Sequence, residues 1–209
     1  MRVSQLDHAG DRVGDTRILN IPNALTAFRV LCVPLMAWLL FADNGERDSM
    51  RDLAALVFVL ASITDLLDGA IARRRGQVTN FGKIADPIAD KALTGVALIS
   101  LSIMGDLAWW ITVVILVREL GVTALRVWVI RHGVIPASRG GKAKTLAQTV
   151  AITMYLVDVP SLDWWIPLSQ VAMGIAVALT IITGLDYVRH ALRLRRLPRG
   201  SVSTDGEVR

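Results

Sequence analysis

The amino-acid sequence predicts an all-α integral membrane protein, a bundle of six transmembrane helices with both termini in the cytoplasm. Hydrophobic residues make up 53% of the 209 residues, and the mean hydropathy is +0.49. The apolar residues are gathered in runs that approach or exceed the length needed to cross a hydrocarbon core of about 30 Å. Lysines and arginines are abundant in every second connection along the chain, as expected of a chain that crosses a bilayer repeatedly.

The apolar runs place the helices in order. Residues 1–20 are polar, lack apolar periodicity and are expected to form a disordered cytoplasmic tail. The first helix is predicted to begin at Pro22 or Asn23, and Pro34 is expected to kink it. One membrane domain is therefore expected over 21–195, followed by a disordered tail over 196–209. The predicted spans of the membrane domain are 22–41, 53–72, 87–104, 107–130, 145–159 and 164–192.

The positions of the basic residues predict the orientation. They cluster in the N-terminal tail and after the second, fourth and sixth spans, whereas the other loops hold only Arg47 and Arg51. Basic loops stay in the cytoplasm, so Trp109-Trp110 and Trp164-Trp165 fall at the outer interface of a multi-pass cell-membrane protein. The formal net charge of +5 suits anionic lipid as well as an anionic substrate. No nucleic-acid-binding motif is visible.

Four aspartates lie at the predicted cytoplasmic ends of the second and third spans. Asp65 and Asp68 are three residues apart, and Asp86 and Asp90 are four apart, so each pair shares one face of its helix. Four carboxylates in a poorly hydrated place repel one another unless a cation lies among them, and a hard divalent ion suits such a cluster. The alternative is a helix-end role, and Asp86 before Pro87 resembles an N-cap. That alternative explains one acid of the four.

The spacing of these residues also matches a known signature. The pattern D-x2-D-G-x2-A-R-x8-G-x3-D-x3-D is filled without departure from Asp65 to Asp90, and it resembles the CDP-alcohol phosphotransferase signature. The resemblance implies two Mg²⁺ or Mn²⁺ ions held by Asp65, Asp68, Asp86 and Asp90. It also implies that Asp90 accepts the proton of the attacking hydroxyl, and that the protein is a homodimer. The topology predicted above places this active site at the cytoplasmic face.

The same resemblance implies a binding site for the donor, CDP-diacylglycerol. Arg73 would hold a phosphate of this donor. Without the surrounding motif, an arginine at a helix end would more often extend its guanidinium group to the membrane surface. Gly69 would admit the nucleotide, although a small residue also serves close helix packing in lipid. The residues implied for the donor are Pro22, Asn23, Thr26, Gly69, Arg73 and Thr79.

Further basic residues follow in and after the fourth span. Arg118 and Glu119 interrupt an apolar run, and two interpretations are open: an internal structural ion pair, or part of a pocket for the phosphate of an acceptor. The predicted acceptor-phosphate residues are Arg118, Arg139, Lys142 and Lys144. The glycines before Lys142 do not form a P-loop, because the spacing is wrong and no strand precedes them.

The segments NIPNALTAFR, VREL and GKAKTLAQ are similar to a branch of the family that uses glycerol 3-phosphate as acceptor. The implied reaction is attack of its hydroxyl on CDP-diacylglycerol, with release of CMP. One alternative is the branch that makes cardiolipin from phosphatidylglycerol. An ion-coupled transporter is an alternative from another class, but the acids gather at one end of the spans and no inverted repeat is apparent.

Overall fold

Six α-helices make up the part of the chain described by this computed structural model. The described residues are 21–42, 48–75, 80–129, 139–157, 159 and 161–196, with side chains described at 24–42, 49–65, 87–125, 141–157, 159 and 161–192. No strand occurs within these ranges, so the predicted all-α class is confirmed. The helices are α1 (Ile21–Phe41), α2 (Asp48–Arg75), α3 (Asn80–Ile103), α4 (Trp109–Val129), α5 (Arg139–Leu156) and α6 (Trp165–Arg196).

The start of α3 corrects one interpretation of the sequence. Asp86 does not cap this helix, because α3 begins at Asn80 and Pro87 lies inside it. A proline within a helix removes one backbone hydrogen bond but does not have to end the helix. Asp86 and Asp90 therefore lie one turn apart within a continuous helix. The helix α1 continues through Pro34, and the kink expected there stays a prediction. The predicted tails lie outside the described residues, apart from Arg196 at the end of α6.

The helices pack around a core of aliphatic side chains. α1 lies mainly against α2 and α3, α5 lies against α6, and α4 contacts α6 and α3. Met36 of α1, Phe58 of α2 and Leu98 of α3 are buried in one cluster with Ile152 of α5 and Met173 of α6. Burial of these side chains fixes the relative positions of the helices that carry the polar residues described below.

Long-range polar contacts distinguish the two ends of the bundle. At one end, Arg51 at the start of α2 binds the Asp106 carboxylate at 2.8 Å and donates to the Tyr155 carbonyl at 3.1 Å. Asp106 follows α3, and the chain turns there through Gly105, whose φ of +87° favours glycine. The other end contains Asp65, Asp90 and Lys144. The start of α2 therefore lies beside the ends of α3 and α5, so α2 runs opposite to both.

Large apolar side chains cover much of the outer surface. Leu31, Val117 and Ile182 are more than 60% exposed. Two helices, over Ala24–Phe41 and Trp165–Leu192, are long and apolar enough to cross a membrane by length and composition. A surface of this kind is unusual for a protein that faces water on all sides.

Candidate active site

Asp65 of α2 and Asp90 of α3 lie near each other at one end of the bundle. Their carboxylates are close enough to repel each other electrostatically. Asp65 keeps about a third of its side-chain surface exposed, at 35%, and Asp90 is partly buried. Asp65 and Asp90, one residue from each half of the aspartate motif, therefore lie close together across the α2–α3 contact.

Arg29 of α1 also belongs to this arrangement, although its role was not predicted from the sequence. Its side chain is fully buried, with 0% exposed, and its Nη1 lies 3.1 Å from Oδ1 of Asp65. The guanidinium also acts electrostatically on Asp90. Thr26, one turn before Arg29 on the same helix, is buried as well. A sequence signal for Arg29 exists, because it is a lone charge within the apolar run of α1.

A second polar cluster joins α4, α5 and α6. Glu119 Oε1 accepts a hydrogen bond from Arg118 Nη1 at 3.1 Å and another from Lys144 Nζ. Arg118 Nη2 also donates to the Thr183 hydroxyl at 2.9 Å. Glu119 and Lys144 both interact electrostatically with Asp90. This second cluster, Arg118, Glu119, Lys144 and Thr183, is therefore adjacent to the aspartates.

The predicted acceptor residues differ in their surroundings. Arg118 and Lys144 are brought together on Glu119, and the Lys144 side chain is only 6% exposed. Lys142, two residues earlier on α5, is exposed. Arg139 is the first residue of α5, and its side chain lies outside the described set. The predicted ion pair of Arg118 and Glu119 therefore exists, and Lys144 joins it as a second cation. The acceptor-phosphate interpretation stays a prediction.

Several residues of the predicted site lie outside the described side chains. Asp68 and Gly69 follow Asp65 on α2, and Arg73 is near the end of that helix. Pro22 and Asn23 are in the first turn of α1, and Asp86 is on α3. Thr79 falls between α2 and α3, outside the described residues. The roles predicted for these residues stay predictions.

Comparison with known proteins identifies the family. The family model described as CDP-alcohol phosphatidyltransferase matches residues 19–182, which is most of the chain. The chain belongs to the CDP-alcohol phosphatidyltransferase family. The resemblance first inferred from the aspartate motif is therefore confirmed.

Several curated members of the CDP-alcohol phosphatidyltransferase family are similar over most of their length. A protein of Mycobacterium tuberculosis strain H37Rv, named probable phosphatidylglycerophosphate synthase, is 49% identical over 194 residues, which cover 91% of this chain and 90% of the relative. The CDP-diacylglycerol--glycerol-3-phosphate 3-phosphatidyltransferase of Bacillus subtilis is 37% identical, covering 81% of this chain and 94% of the relative. A protein of Pseudomonas fluorescens with the same name is 39% identical, with 83% and 90% covered.

CDP-alcohol phosphatidyltransferases use divalent metal ions, and the carboxylate oxygens of this site are suitable ligands for such an ion. Asp65 and Asp90 offer carboxylate oxygens, the ligands that Mg²⁺ and Mn²⁺ prefer, and their mutual repulsion favours a cation between them. Among the described side chains, no group of three or more acidic, histidine or cysteine residues has metal-binding geometry. The other two aspartates of the motif, Asp68 and Asp86, lie outside those side chains.

Proposed function

We propose that this protein transfers the phosphatidyl group of CDP-diacylglycerol to glycerol 3-phosphate, which gives phosphatidylglycerophosphate and CMP. The observation that carries the proposal is the 49% identity, over nine-tenths of both chains, to a protein named probable phosphatidylglycerophosphate synthase. The position of Asp65 and Asp90 beside the Arg118–Lys144 cations supports it, because the reaction needs a metal-binding carboxylate group next to a site for an anionic acceptor.

In this proposal the four aspartates hold two divalent ions, Mg²⁺ or Mn²⁺. When bound, such ions neutralise the pyrophosphate oxygens of the donor and stabilise the departing CMP. Arg29 keeps the Asp65 carboxylate oriented through its 3.1 Å contact. Asp90 accepts the proton of the attacking hydroxyl, which makes the hydroxyl oxygen a better nucleophile. Each of these residues acts at one end of the bundle, so the reaction is confined to that end.

Binding of the two substrates is divided between different helices in the proposal. Pro22, Asn23 and Thr26 of α1, with Gly69 and Arg73 of α2, contact CDP-diacylglycerol, and Thr79 lies beside the nucleotide. Arg118 of α4 and the basic residues of α5, Arg139, Lys142 and Lys144, bind the phosphate of the acceptor. The hydrogen bond from Lys144 to Glu119, and the electrostatic interaction of both residues with Asp90, support an acceptor site next to the proposed base.

The proposal includes a membrane topology. All six helices span the cell membrane, both termini and the aspartates face the cytoplasm, and the protein is a homodimer. The exposed apolar side chains of α1, α4 and α6 support contact with lipid. Trp109, Trp110 and Trp164 are each more than half exposed, which suits the headgroup level of the opposite leaflet.

The experiment that tests this function measures CMP release by the purified protein in detergent. One donor, CDP-diacylglycerol, is offered in parallel with glycerol 3-phosphate, phosphatidylglycerol, inositol phosphate and serine. We expect release with glycerol 3-phosphate and formation of phosphatidylglycerophosphate. Release with phosphatidylglycerol alone would assign the protein to cardiolipin synthesis and overturn the proposal.

A further inference from the structure

Glu119 occupies a central position among three helices. One of its oxygens, Oε1, accepts from two cations that come from different helices, Arg118 of α4 and Lys144 of α5. The exposed fractions of these side chains are small, 16% for Arg118, 17% for Glu119 and 6% for Lys144. Two cations gathered in so little water repel each other strongly unless an anion lies between them.

Arg118 is also held from the side of α6. The Thr183 hydroxyl donates to the Leu179 carbonyl at 2.7 Å, so its oxygen is free to accept from Arg118 Nη2 at 2.9 Å. The aliphatic part of Arg118 passes Gly184, where an added Cβ would lie 3.1 Å from its Cγ. The guanidinium is therefore constrained by Glu119 on one side and by α6 on the other.

Unused hydrogen-bond donors remain in this cluster. Arg118 Nε is buried and has no hydrogen-bond partner among the described residues. Lys144 has three N–H donors, and its contact with Glu119 is the one described for it. A buried donor without an acceptor is unfavourable, and a phosphate oxygen would satisfy it. The three charges of the cluster sum to +1, and the carboxylate of the neighbouring Asp90 interacts with Lys144 from outside it.

We propose that Glu119 is a positioning residue that holds Arg118 and Lys144 together as a preformed cationic pair for the phosphate of the acceptor. The inference rests on the proposed function, since it assumes a phosphorylated acceptor. Glu119 does not contact the reacting atoms. It offsets the repulsion between the two cations and fixes their spacing, so that less conformational freedom is lost when the phosphate binds.

The test compares full-length wild-type protein with Glu119→Gln in steady-state assays of CMP release. Gln keeps the size of the side chain but removes the charge that attracts both cations. We expect the KM for glycerol 3-phosphate to rise by about tenfold or more, which corresponds to one lost charge-assisted interaction. The KM for CDP-diacylglycerol and kcat should change little. A matched control is Asp106→Asn, which breaks the Arg51–Asp106 pair at the opposite end of the bundle and should change neither KM.

Two further variants separate positioning from a general loss of structure. If Glu119 acts through the two cations, Glu119→Gln should raise the KM for glycerol 3-phosphate by a smaller factor in a Lys144→Met background than in the wild-type background. Glu119→Asp keeps the charge, so its KM for glycerol 3-phosphate should lie closer to the wild-type value than that of Glu119→Gln. If Glu119→Gln fails to fold, Glu119→Asp still tests the position of the carboxylate. Three outcomes would each overturn the inference. Glu119→Gln could raise the KM for both substrates equally, or it could leave the KM for glycerol 3-phosphate unchanged. The effects of Glu119→Gln and Lys144→Met on that KM could also be additive in the double variant.

The two proposals fail in different ways. Wild-type protein that releases no CMP with glycerol 3-phosphate would overturn the proposed function, and this inference with it. Active wild-type protein with a Glu119→Gln variant of unchanged acceptor KM would overturn only the role of Glu119.

Discussion

Arg29 Nη1 lies 3.1 Å from Asp65 Oδ1, which joins a fully buried cation of α1 to the first carboxylate of the aspartate motif. A residue that orients a metal ligand typically changes metal affinity or activity by about 10- to 100-fold when it is removed. We therefore expect Arg29→Gln to lower the rate of CMP release by about that factor, and to raise the Mn²⁺ concentration needed for half-maximal binding. Electron paramagnetic resonance of bound Mn²⁺ measures the second effect without turnover.

A matched control for Arg29 is Arg51→Gln. Arg51 also forms an ion pair between helices, with Asp106 at 2.8 Å, but at the other end of the bundle. Its loss should leave Mn²⁺ binding unchanged. If both variants weaken Mn²⁺ binding equally, Arg29 serves the stability of the bundle and not the orientation of Asp65.

The proposed metal ligands give a second prediction. Asp65→Asn, Asp68→Asn and Asp86→Asn should each abolish CMP release, because each removes a negatively charged oxygen that holds a divalent ion. The measurement is the rate over a Mg²⁺ series beside Mn²⁺ binding. Full activity in any one variant would refute the ligand role of that residue.

Asp90 should differ from the other three aspartates. Asp90→Asn keeps the shape and one coordinating oxygen but removes the basic group, so donor binding should survive while turnover falls by about 10²- to 10⁴-fold. The residual rate should rise with pH, since hydroxide replaces the lost base. Calorimetry of donor binding and rates over a pH series check this. Loss of donor binding together with activity would make Asp90 chiefly a metal ligand.

Lys142 and Lys144 form a natural comparison on α5. Lys144 is buried against Glu119, whereas Lys142 is exposed, so a charge at residue 144 is screened less by water. Lys144→Ala should raise the KM for glycerol 3-phosphate by about tenfold or more, and Lys142→Ala by less. The KM for CDP-diacylglycerol should stay near the wild-type value in both. A larger rise in the KM for glycerol 3-phosphate with Lys142→Ala than with Lys144→Ala would show that Lys142 contributes more to phosphate binding, which would contradict the prediction.

Gly184 offers a test of Arg118 without changing a charge. An added Cβ would lie 3.1 Å from Arg118 Cγ, so Gly184→Ala requires that side chain to shift by a few tenths of an ångström, which perturbs its contact with Thr183. We expect a several-fold rise in the KM for glycerol 3-phosphate. Gly174→Ala on the same helix is the control, because nothing lies within 4 Å of a Cβ there. Equal KM values for both variants would show that Arg118 tolerates the shift.

The sequence by itself determined the helical class, the family and the pairing of acids within each helix. These properties depend on local spacing: apolar runs predict helices, and residues three or four apart share a face wherever the helix extends. The signature from Asp65 to Asp90 is also a local pattern, and for that reason it identified the family before any contact between helices was known. The orientation in the membrane and the metal ions stay predictions.

Only the tertiary structure decided which charges meet. Arg29 and Asp65 are far apart in the chain, as are Glu119 and Lys144, and no spacing rule predicts that a lone arginine of α1 reaches the second helix. Asp86 shows that a local pattern can also mislead. Its position before Pro87 is typical of a helix cap, but α3 begins at Asn80. Such contacts depend on how whole helices pack, since burial of the apolar core sets the positions of the helices and thereby brings distant polar side chains together.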